Sequence, residues 1–253
     1  MRKPKRTSRN SRQDEFNNFD QRQTKEYPQE DKIKTFTPTR EQKELINTIR
    51  ANTVTFVDSP AGTGKSSSVL WHYCQEYKND LTKQIIVIRT PVEFTDDKIG
   101  FLPNDLASKC EPHFAPARRI LEDFLGKGKV SADLGKRIHF NVPNYMLGST
   151  LSNSLVLIDE AQQLSPQILK LLMERIGNGS KVVVAGDSNQ LFEGKGSKRN
   201  ALADAIDRFF KDDGEYIVPK YDDIGYHEFG IEDVMRSEIV KTVISAYRGM
   251  ASY

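Results

Sequence analysis

The segment Ser59–Ser66, which reads SPAGTGKS, combines residue types that bind phosphate groups in proteins. Two glycines let the backbone approach a ligand closely, and a lysine followed by a serine supplies a cation and a hydroxyl. The phosphate-binding pattern G-x-x-x-x-G-K-[ST] has glycine where this chain has Ser59, so the match contains one departure. We interpret the segment as functional, because a small serine fits the entry position unless its φ is positive.

The sequence on either side of this segment provides the context that a phosphate loop needs. Thr53–Val57 predicts a buried strand, and Ser67–Tyr77 predicts a helix with apolar residues on one face. A helix N-terminus after a glycine loop favours bound anions. We therefore expect Lys65 to reach the β- and γ-phosphates of ATP and Ser66 to hold Mg²⁺. The residues expected to contact the nucleotide are Gln42, Ser59, Pro60, Ala61, Gly62, Thr63, Gly64, Lys65, Ser66 and Ser67.

Two later strands end in polar side chains that suit hydrolysis. Leu155–Ile158 predicts a buried strand that delivers Asp159 and Glu160 to the carboxyl edge of a sheet, where ligands of open α/β folds bind. We expect Asp159 to join the Mg²⁺ shell and Glu160 to act as general base toward water. Lys181–Ala185 predicts another strand, and Gln190 beyond it is expected to sense the γ-phosphate or align the water. A plain turn is the alternative for that last segment.

The remaining patterns place these motifs in one α/β domain over residues 35–253. Gln84–Arg89 predicts a further buried strand, and Ser165–Ile176 predicts a helix that starts at a serine cap followed by proline. Gly126–Asp133 is interpreted as a loop or helix end, Tyr221–Gly225 as a turn, and Ile231–Arg248 as the last helix. Short β-branched strands that alternate with helices predict a parallel sheet covered on both faces, and with the phosphate loop this indicates a three-layer P-loop NTPase core.

The first 34 residues differ from the rest of the chain in composition. They contain ten Lys/Arg, six Asp/Glu and almost no aliphatic residues, which predicts a disordered basic tail. The tail is either an arm that touches nucleic acid or a solvated segment. The chain has no long apolar run, so we expect neither secretion nor membrane insertion. Cys74 and Cys110 follow no metal or disulfide pattern, and we expect a cytoplasmic protein, in the host cytoplasm if phage-encoded.

Together these motifs resemble the PhoH-like family, a single-core relative of superfamily 1 helicases. The resemblance runs from about Thr37 to Tyr247. It implies a RecA-like ATPase core, often assembled in rings and linked to RNA metabolism. Some members carry a nuclease domain of the PIN type, which we do not expect within the short segment before the core. Beyond the nucleotide motifs, the resemblance rests on the sequences at residues 100–106 (GFLPNDL), 142–151 (VPNYMLGSTL), 175–181 (RIGNGSK) and 233–240 (DVMRSEIV).

The resemblance also implies roles for individual positions. It makes Gln42 the adenine-reading glutamine and Arg236 a contact of the γ-phosphate. It assigns Lys65 and Ser66 to Walker A, Asp159 and Glu160 to Walker B, and Gln190 to the sensor. The chain departs from the family's pattern at Leu147 and Ser149, where relatives commonly have arginines, and at Phe94–Asp97, where the acidic segment is altered. Lys195, Lys198 and Arg199 are candidate replacements for the arginines, although a solvated basic loop is the simpler interpretation.

These expectations lead to three hypotheses. The first is a Mg²⁺-dependent ATPase that binds or remodels single-stranded nucleic acid, RNA rather than DNA, and has possible RNA helicase activity. Because superfamily 1 helicases close their ATP site between two cores and this chain has one, we expect a homo-oligomer, most simply a hexameric ring. The second is a slow, nucleotide-gated assembly protein without motor activity, which the missing arginines favour. The third, a small-molecule kinase, lacks an evident acceptor-binding segment.

Overall fold

The computed structural model describes residues 33–90, 106–146, 148, 150–190, 200–214 and 216–248. In these ranges no helix combines the length and apolar character needed to cross a membrane. The helices are α1 (Arg40–Ala51), α2 (Lys65–Asn79), α3 (Leu106–Leu125), α4 (Lys127–Asp133), α5 (Pro166–Met173), α6 (Ala201–Phe209) and α7 (Glu238–Arg248). The strands are β1 (Val54–Asp58), β2 (Gln84–Arg89), β3 (Ile138–Asn141), β4 (Ser154–Asp159), β5 (Lys181–Gly186), β6 (Phe210–Asp212), β7 (Ile217–Pro219) and β8 (Ile224–Glu228).

A six-stranded parallel sheet in the order β3-β2-β4-β5-β1-β8 forms the centre of the described residues. β5 lies between β1 and β4 and pairs with each in register, as in the pairs Asp58–Gly186 and Ile158–Val184. Parallel neighbours need crossover connections, and helices supply most of these. β6 and β7 form a separate antiparallel pair. All six carboxyl ends of the parallel strands therefore meet at one edge of the sheet.

Helices cover both faces of this sheet, and β4 shows this residue by residue. Leu155 and Leu157 belong to a buried cluster with α1, α2, α3 and α4. Val156 and Ile158 belong to a second buried cluster with α5 and α6. Successive side chains of a strand point to opposite faces, so an uninterrupted apolar run is what a doubly covered strand requires. The central strands are consequently rigid supports for the polar residues at their ends.

The predicted α/β fold class with a parallel sheet is confirmed. The four predicted strands correspond to β1, β2, β4 and β5, each within one residue at either end. The predicted turn at Tyr221–Gly225 is wrong at its end, because β8 begins at Ile224 and pairs with β1. The sequence of β8, IGYHE, gives no strand signal because it lacks the apolar run that marks β2, β4 and β5.

Three predicted helix boundaries also need correction. The helix predicted at Ser165–Ile176 ends at Met173, and Ile176 instead forms a bridge with Leu151. The segment predicted as a loop or helix end at Gly126–Asp133 forms α4, with the glycine as its N-cap at φ 85°. Burial of Val130 in the core outweighs the low helix propensity of this glycine-rich segment. The last helix begins at Glu238 and not at Ile231. The residues before it are held elsewhere, because the Met235 amide donates to the backbone of the phosphate loop.

Some predictions fall on residues outside the described ranges. The proposed tail lies outside them up to residue 32, whereas Lys34 is described and its amide donates to the Asp123 carbonyl at 2.7 Å. The predictions at Phe94–Asp97, Leu147, Ser149, Lys195, Lys198 and Arg199, and the motif GFLPNDL up to residue 105, also fall outside the described ranges.

Candidate functional site

The carboxyl ends of β1, β4 and β5 bring three polar segments together. The glycine loop follows β1, the pair Asp159–Glu160 ends β4, and Asp187 follows β5. The Ser59 amide donates to the Gly186 carbonyl at 2.9 Å, which ties the start of the loop to β5. Because β5 separates β1 from β4, the loop and the acidic pair face each other across one strand. The edge of the sheet thus forms a polar cleft.

The glycine loop has the backbone geometry of a phosphate-binding loop. Gly62 and Gly64 have φ values of 91° and 81°, which only glycine adopts without strain. Gly64 is the N-cap of α2, so the loop leads directly into a helix N-terminus. The Lys65 side chain is buried in the loop, with Nζ 3.5 Å from the Ser59 carbonyl. The loop thus places a cation, a helix dipole and backbone amides in one small volume.

Ser59 replaces the entry glycine of the pattern without distorting the loop. Ser59 is not among the described residues with positive φ, so a serine fits the entry position without backbone strain. Its hydroxyl donates to the Pro60 carbonyl at 2.9 Å and also contacts the Thr63 hydroxyl. Both hydroxyls are buried and bonded within the loop. The serine side chain therefore adds hydrogen bonds within the loop that a glycine at this position would lack.

Gln42 supports the loop from α1 and uses both ends of its amide to do so. Its Nε2 donates to the Thr63 carbonyl at 3.0 Å, and its Oε1 accepts from the Thr39 amide at 3.0 Å. The second bond completes the capping box of α1. Gln42 is 1% exposed. Reading of adenine by Gln42 stays a prediction, because the amide that would read the base is engaged with the protein.

We expect the substitution Gln42→Ala to weaken binding of ATP and GTP equally, by about 10-fold. Loss of the buried hydrogen bond from Gln42 to the loop costs about 1–2 kcal/mol. The loop binds the phosphates, which ATP and GTP share, so the loss does not depend on the nucleotide base. The measurement is nucleotide affinity by titration calorimetry for both nucleotides. Gln42→Glu tests the same bond and should also weaken both nucleotides, because it keeps the acceptor for Thr39 but cannot donate to Thr63. A loss confined to ATP would support base reading and contradict the loop-supporting role.

Asp159 and Ser66 provide the oxygen atoms of a candidate Mg²⁺ site. The Ser66 hydroxyl donates to Asp159 Oδ1 at 3.1 Å. Asp159 is 5% exposed, and burial raises the pKa of its carboxyl, as does the charge of Glu160. The cations of Arg89 and Lys65 and the Ser66 hydroxyl oppose this rise in pKa. A hydroxyl and a carboxylate are hard ligands, so the donor set fits Mg²⁺ and not a thiol-preferring metal.

Glu160 lies in a left-handed backbone conformation at the end of β4. Its φ of 56° and ψ of 44° are uncommon for a residue with a side chain and cost about 1–3 kcal/mol where they occur. Arg89 Nη2 lies 3.3 Å from one carboxylate oxygen, and Gln162 Nε2 donates to the other at 2.7 Å. The carboxylate is therefore fixed in the cleft from two sides, as a positioned base requires.

Gln162 connects Glu160 to the predicted sensor. Its Nε2 also donates to Gln190 Oε1 at 3.0 Å, and its Oε1 accepts from the Asp187 amide at 3.2 Å. The side chain fills the space above Gly186, where a Cβ atom would lie 2.5 Å from Gln162 Oε1. The sequence predicts Glu160 and Gln190 as separate candidates. The structure joins them through a buried amide to which the sequence analysis assigns no role.

Arg236 lies over the glycine loop, and its contact with the γ-phosphate stays a prediction. A Cβ atom on Gly62 would lie 2.8 Å from Arg236 Cγ. The segment that carries this arginine is fixed by the bond from the Met235 amide to the Gly62 carbonyl, at 2.9 Å, and by the buried side chain of Val234. The chain after β8 thus crosses the carboxyl end of β1. The side chain of Arg236 is exposed.

A second acidic cluster lies at the ends of β1 and β5, and the sequence does not identify it as a cluster. Asp58 accepts from the Ser188 amide at 2.9 Å and from the Ser188 hydroxyl. Arg248, at the end of α7, lies 3.6 Å from Asp187. Burial raises the pKa of the Asp58 carboxyl, and Asp187 raises it further, while the bonds to Ser188 and the charge of Arg248 lower it. This cluster connects β1, β5 and α7.

We expect the substitution Asp58→Asn to stabilise the protein at neutral pH but not in acid. The pKa of Asp58 is raised in the folded state, so its ionisation costs stability above the folded pKa and costs nothing below the unfolded value of about 3.9. The difference in thermal midpoint, variant minus wild type, should be near zero at about pH 4 and positive at about pH 7. Thermal unfolding at several pH values measures this difference.

The control for this pH dependence is Asp80→Asn. The pKa of Asp80 is lowered by its bonds to Thr82, so this exposed carboxylate stabilises the folded state above the unfolded pKa. Asp80→Asn should therefore lower the thermal midpoint at neutral pH and leave it unchanged in acid. This change at neutral pH is opposite in sign to the one expected for Asp58→Asn. A loss of stability in Asp58→Asn that is the same at every pH would contradict the burial argument.

The fold and the site together define the class of the molecule. A parallel three-layer α/β core with a glycine phosphate loop after β1 and an Asp-Glu pair after β4 is a P-loop NTPase core. The family described as PhoH-like protein matches residues 33–248 of the chain. The chain therefore belongs to the PhoH-like protein family.

Individual relatives show the extent of this similarity. The PhoH-like protein of Bacillus subtilis is 33% identical over 207 residues, which cover 81% of this chain and 61% of the relative. Protein PhoH of Escherichia coli K12 is 30% identical over 210 residues, which cover 81% and 56%. The chain thus spans somewhat more than half the length of these curated relatives. The solved large terminase of a thermophilic bacteriophage, in complex with ADP, matches with a TM-score of 0.47 and 12% identity, covering 82% of this chain and 49% of the terminase.

Proposed function

We propose that this chain binds ATP with Mg²⁺ in the cleft at the carboxyl edge of the sheet and hydrolyses it. The observation that carries the proposal is the meeting of Walker A and Walker B residues from separate strands, with Ser66 Oγ 3.1 Å from Asp159 Oδ1. Lys65 lies in the same loop, and Glu160 follows Asp159 directly. These are the groups that hold phosphates, a divalent cation and an attacking water in P-loop enzymes.

Each residue has a separate task in this proposal. When bound, ATP with Mg²⁺ supplies the reactive γ-phosphoryl group with part of its charge neutralised. Lys65 binds the β- and γ-phosphates, and Ser66 and Asp159 would hold the cation. Glu160 accepts the proton of the attacking water at its carboxylate, the general-base role. Gln162 holds this carboxylate in place and aligns the side chain of Gln190 with it.

We further propose that hydrolysis is coupled to single-stranded nucleic acid, RNA rather than DNA, in a homo-oligomeric ring. The basic first 34 residues support the nucleic-acid part, since clustered cations neutralise phosphates. An apolar stripe on α7 supports self-association, because Ile239, Val243 and Tyr247 are 67%, 48% and 73% exposed on one helical face beside the cleft. Unpaired Cys74 and Cys110 support a reducing compartment, the cytoplasm.

The deciding experiment measures ATP turnover with no nucleic acid, with single-stranded RNA and with single-stranded DNA, together with native mass. Turnover that RNA increases, with a mass several times that of the chain when an ATP analogue is present, supports the full proposal. Turnover that no nucleic acid changes, with no salt-dependent RNA binding, contradicts the coupling. A monomer at micromolar concentration, with and without the analogue, contradicts the ring.

A second candidate function is a slow, nucleotide-gated assembly protein. The observation that favours it is the engagement of both Glu160 carboxylate oxygens, one with Arg89 and one with Gln162. A base whose oxygens are both engaged accepts protons slowly until one partner leaves. The absence of arginine at positions 147 and 149 points the same way. The Glu160→Gln variant separates the two candidates, since an assembly protein would lose little function.

A further inference from the structure

A groove between α3 and the edge strand β3 lies outside the ATP cleft. It encloses about 430 Å³, which is within the range of ligand-binding pockets. Three aromatic side chains line it, those of Phe114, Phe140 and Tyr145, together with Arg118 and His139. β3 is next to β2 in the sheet, so the carboxyl end of the groove is close to the end of β2. None of these residues has a task in the hydrolysis proposed above.

The chemistry of the groove suits flat, π-electron-rich ligands. The Phe114 and Phe140 rings are 5.6 Å apart between centroids, and the Arg118 guanidinium lies 5.5 Å from the Phe140 ring. Tyr145 is 65% exposed, so its ring is free to stack on a ligand. Glu111, the acidic residue among those that line the groove, is paired with Arg118 at 3.1 Å. Aromatic faces beside a guanidinium are the usual platform for unpaired bases.

We propose that this groove binds an unpaired base of single-stranded nucleic acid, with Tyr145 as the stacking residue. The proposal rests on the proposed function and specifies where the nucleic acid is bound. Every nucleic-acid base has a π-face, so any base can stack on the tyrosine ring. The groove would therefore bind single-stranded nucleic acid without sequence specificity. Arg118 lines the same groove, and its guanidinium has N–H donors beyond the one paired with Glu111 that suit a phosphate flanking a stacked base.

The alternative occupant of a groove beside an edge strand is an extended peptide that adds a strand to the sheet. The structure disfavours this occupant, because the start of β3 already has a partner. The Gly135 amide donates to the Ile138 carbonyl at 2.9 Å, and Leu134 forms a bridge with Ile138. β3 is four residues long, so the part of its edge left for a peptide is short.

Hydrogen bonds also connect the groove to the hydrolytic carboxylate. Arg89, at the end of β2, donates to the His113 carbonyl at 3.3 Å and pairs with Glu160 at 3.3 Å. Phe114, the next residue of α3, lines the groove. Two prolines in this part of α3, at positions 112 and 116, lack the amide that the helix ladder needs, which makes the segment easier to bend. Arg89 therefore links the segment of α3 that lines the groove to the carboxylate of Glu160.

The test measures fluorescence anisotropy of a fluorescein-labelled oligouridylate with the full chain. We expect Tyr145→Ala to weaken affinity by about 5- to 100-fold, the usual effect of removing one stacking ring. Tyr145→Phe should bind like wild type, because the ring face remains. Tyr216→Ala is the matched control, since Tyr216 is equally exposed at 64% and does not line the groove. A duplex of the same length should bind more weakly than the single strand.

The variant Arg118→Ala and the stimulation of ATP turnover by nucleic acid provide two further tests of the groove. Arg118→Ala should weaken affinity by about 2- to 5-fold, so a Tyr145→Ala variant that fails to fold does not end the test. Stimulation of ATP turnover by the oligouridylate should fall in parallel with affinity. If wild type binds the strand and both Tyr145→Ala and Arg118→Ala bind equally well, the groove is not the site, and a peptide becomes the better occupant. If wild type neither binds the strand nor turns over ATP, the proposed function itself fails.

Discussion

Replacement of Glu160 by glutamine is expected to lower kcat for ATP hydrolysis by about 10²–10⁴-fold and to leave ATP affinity within about 3-fold of wild type. The substitution keeps the shape of the side chain but removes the group that accepts the proton of water. Binding depends on the loop and on the donors Ser66 and Asp159, which the substitution does not touch. Single-turnover hydrolysis and equilibrium binding of a fluorescent ATP analogue, measured on the same preparation, separate the two effects.

The control is Glu174→Gln, a carboxylate at the end of α5 that is 53% exposed and paired with Lys170. It should match wild type in both measurements. A kcat for Glu160→Gln within about 10-fold of wild type would contradict the general-base assignment. The same variant tests the second candidate function, because an ATP-gated assembly protein would still assemble with ATP. Loss of RNA remodelling together with loss of hydrolysis would support the coupled ATPase.

Features that depend on contiguous sequence could be predicted. The loop at Ser59–Ser66 carries its turn glycines, its cation and its hydroxyl within eight residues, and the predicted strand before it, TVTFV, is rich in β-branched residues. The run ending at Asp159 predicts both a central strand and the position of the carboxylates. A strand buried on both faces has few other conformations available, so the polar residue that follows it must lie at the edge of the sheet.

Features that depend on distant contacts could not be predicted. Arg89 is the last residue of β2, and nothing in the sequence around it indicates a role at the site. Its pairing with Glu160, 71 positions away, is what places it there. Gln162 is a polar residue that follows the Asp-Glu pair. Its role in joining Glu160 to Gln190 depends on a contact with a residue 28 positions away. The predicted start of α7 is wrong for the same reason. Apolar spacing continues into the segment at Val234, but burial there and the bond from Met235 to the loop outweigh helix propensity.

The second large effect is expected from Gly64→Ala, which should weaken ATP binding by about 100-fold or more. A Cβ atom at this position would lie 2.7 Å from Gln42 Nε2, the amide that supports the loop through Thr63. The loop would have to move, and the backbone amides that bind phosphate would move with it. Loss of two hydrogen bonds to a charged ligand, at about 1.5–3 kcal/mol each, accounts for the expected size. Titration calorimetry with ATP measures it.

Gly135→Ala separates this effect from backbone strain. Gly135 also has a positive φ, 73°, and a Cβ atom there would meet nothing within 4 Å. An alanine in the left-handed region costs about 1–2 kcal/mol, so both variants should lose thermal stability, Gly64→Ala at least as much as Gly135→Ala. Only Gly64→Ala should lose ATP affinity, and the double variant Gln42→Ala with Gly64→Ala should recover part of it, because the obstructing amide is gone. Equal ATP affinity in the two single variants would show that the loop tolerates the extra atom, and the close support of the loop by Gln42 would then have no part in nucleotide binding.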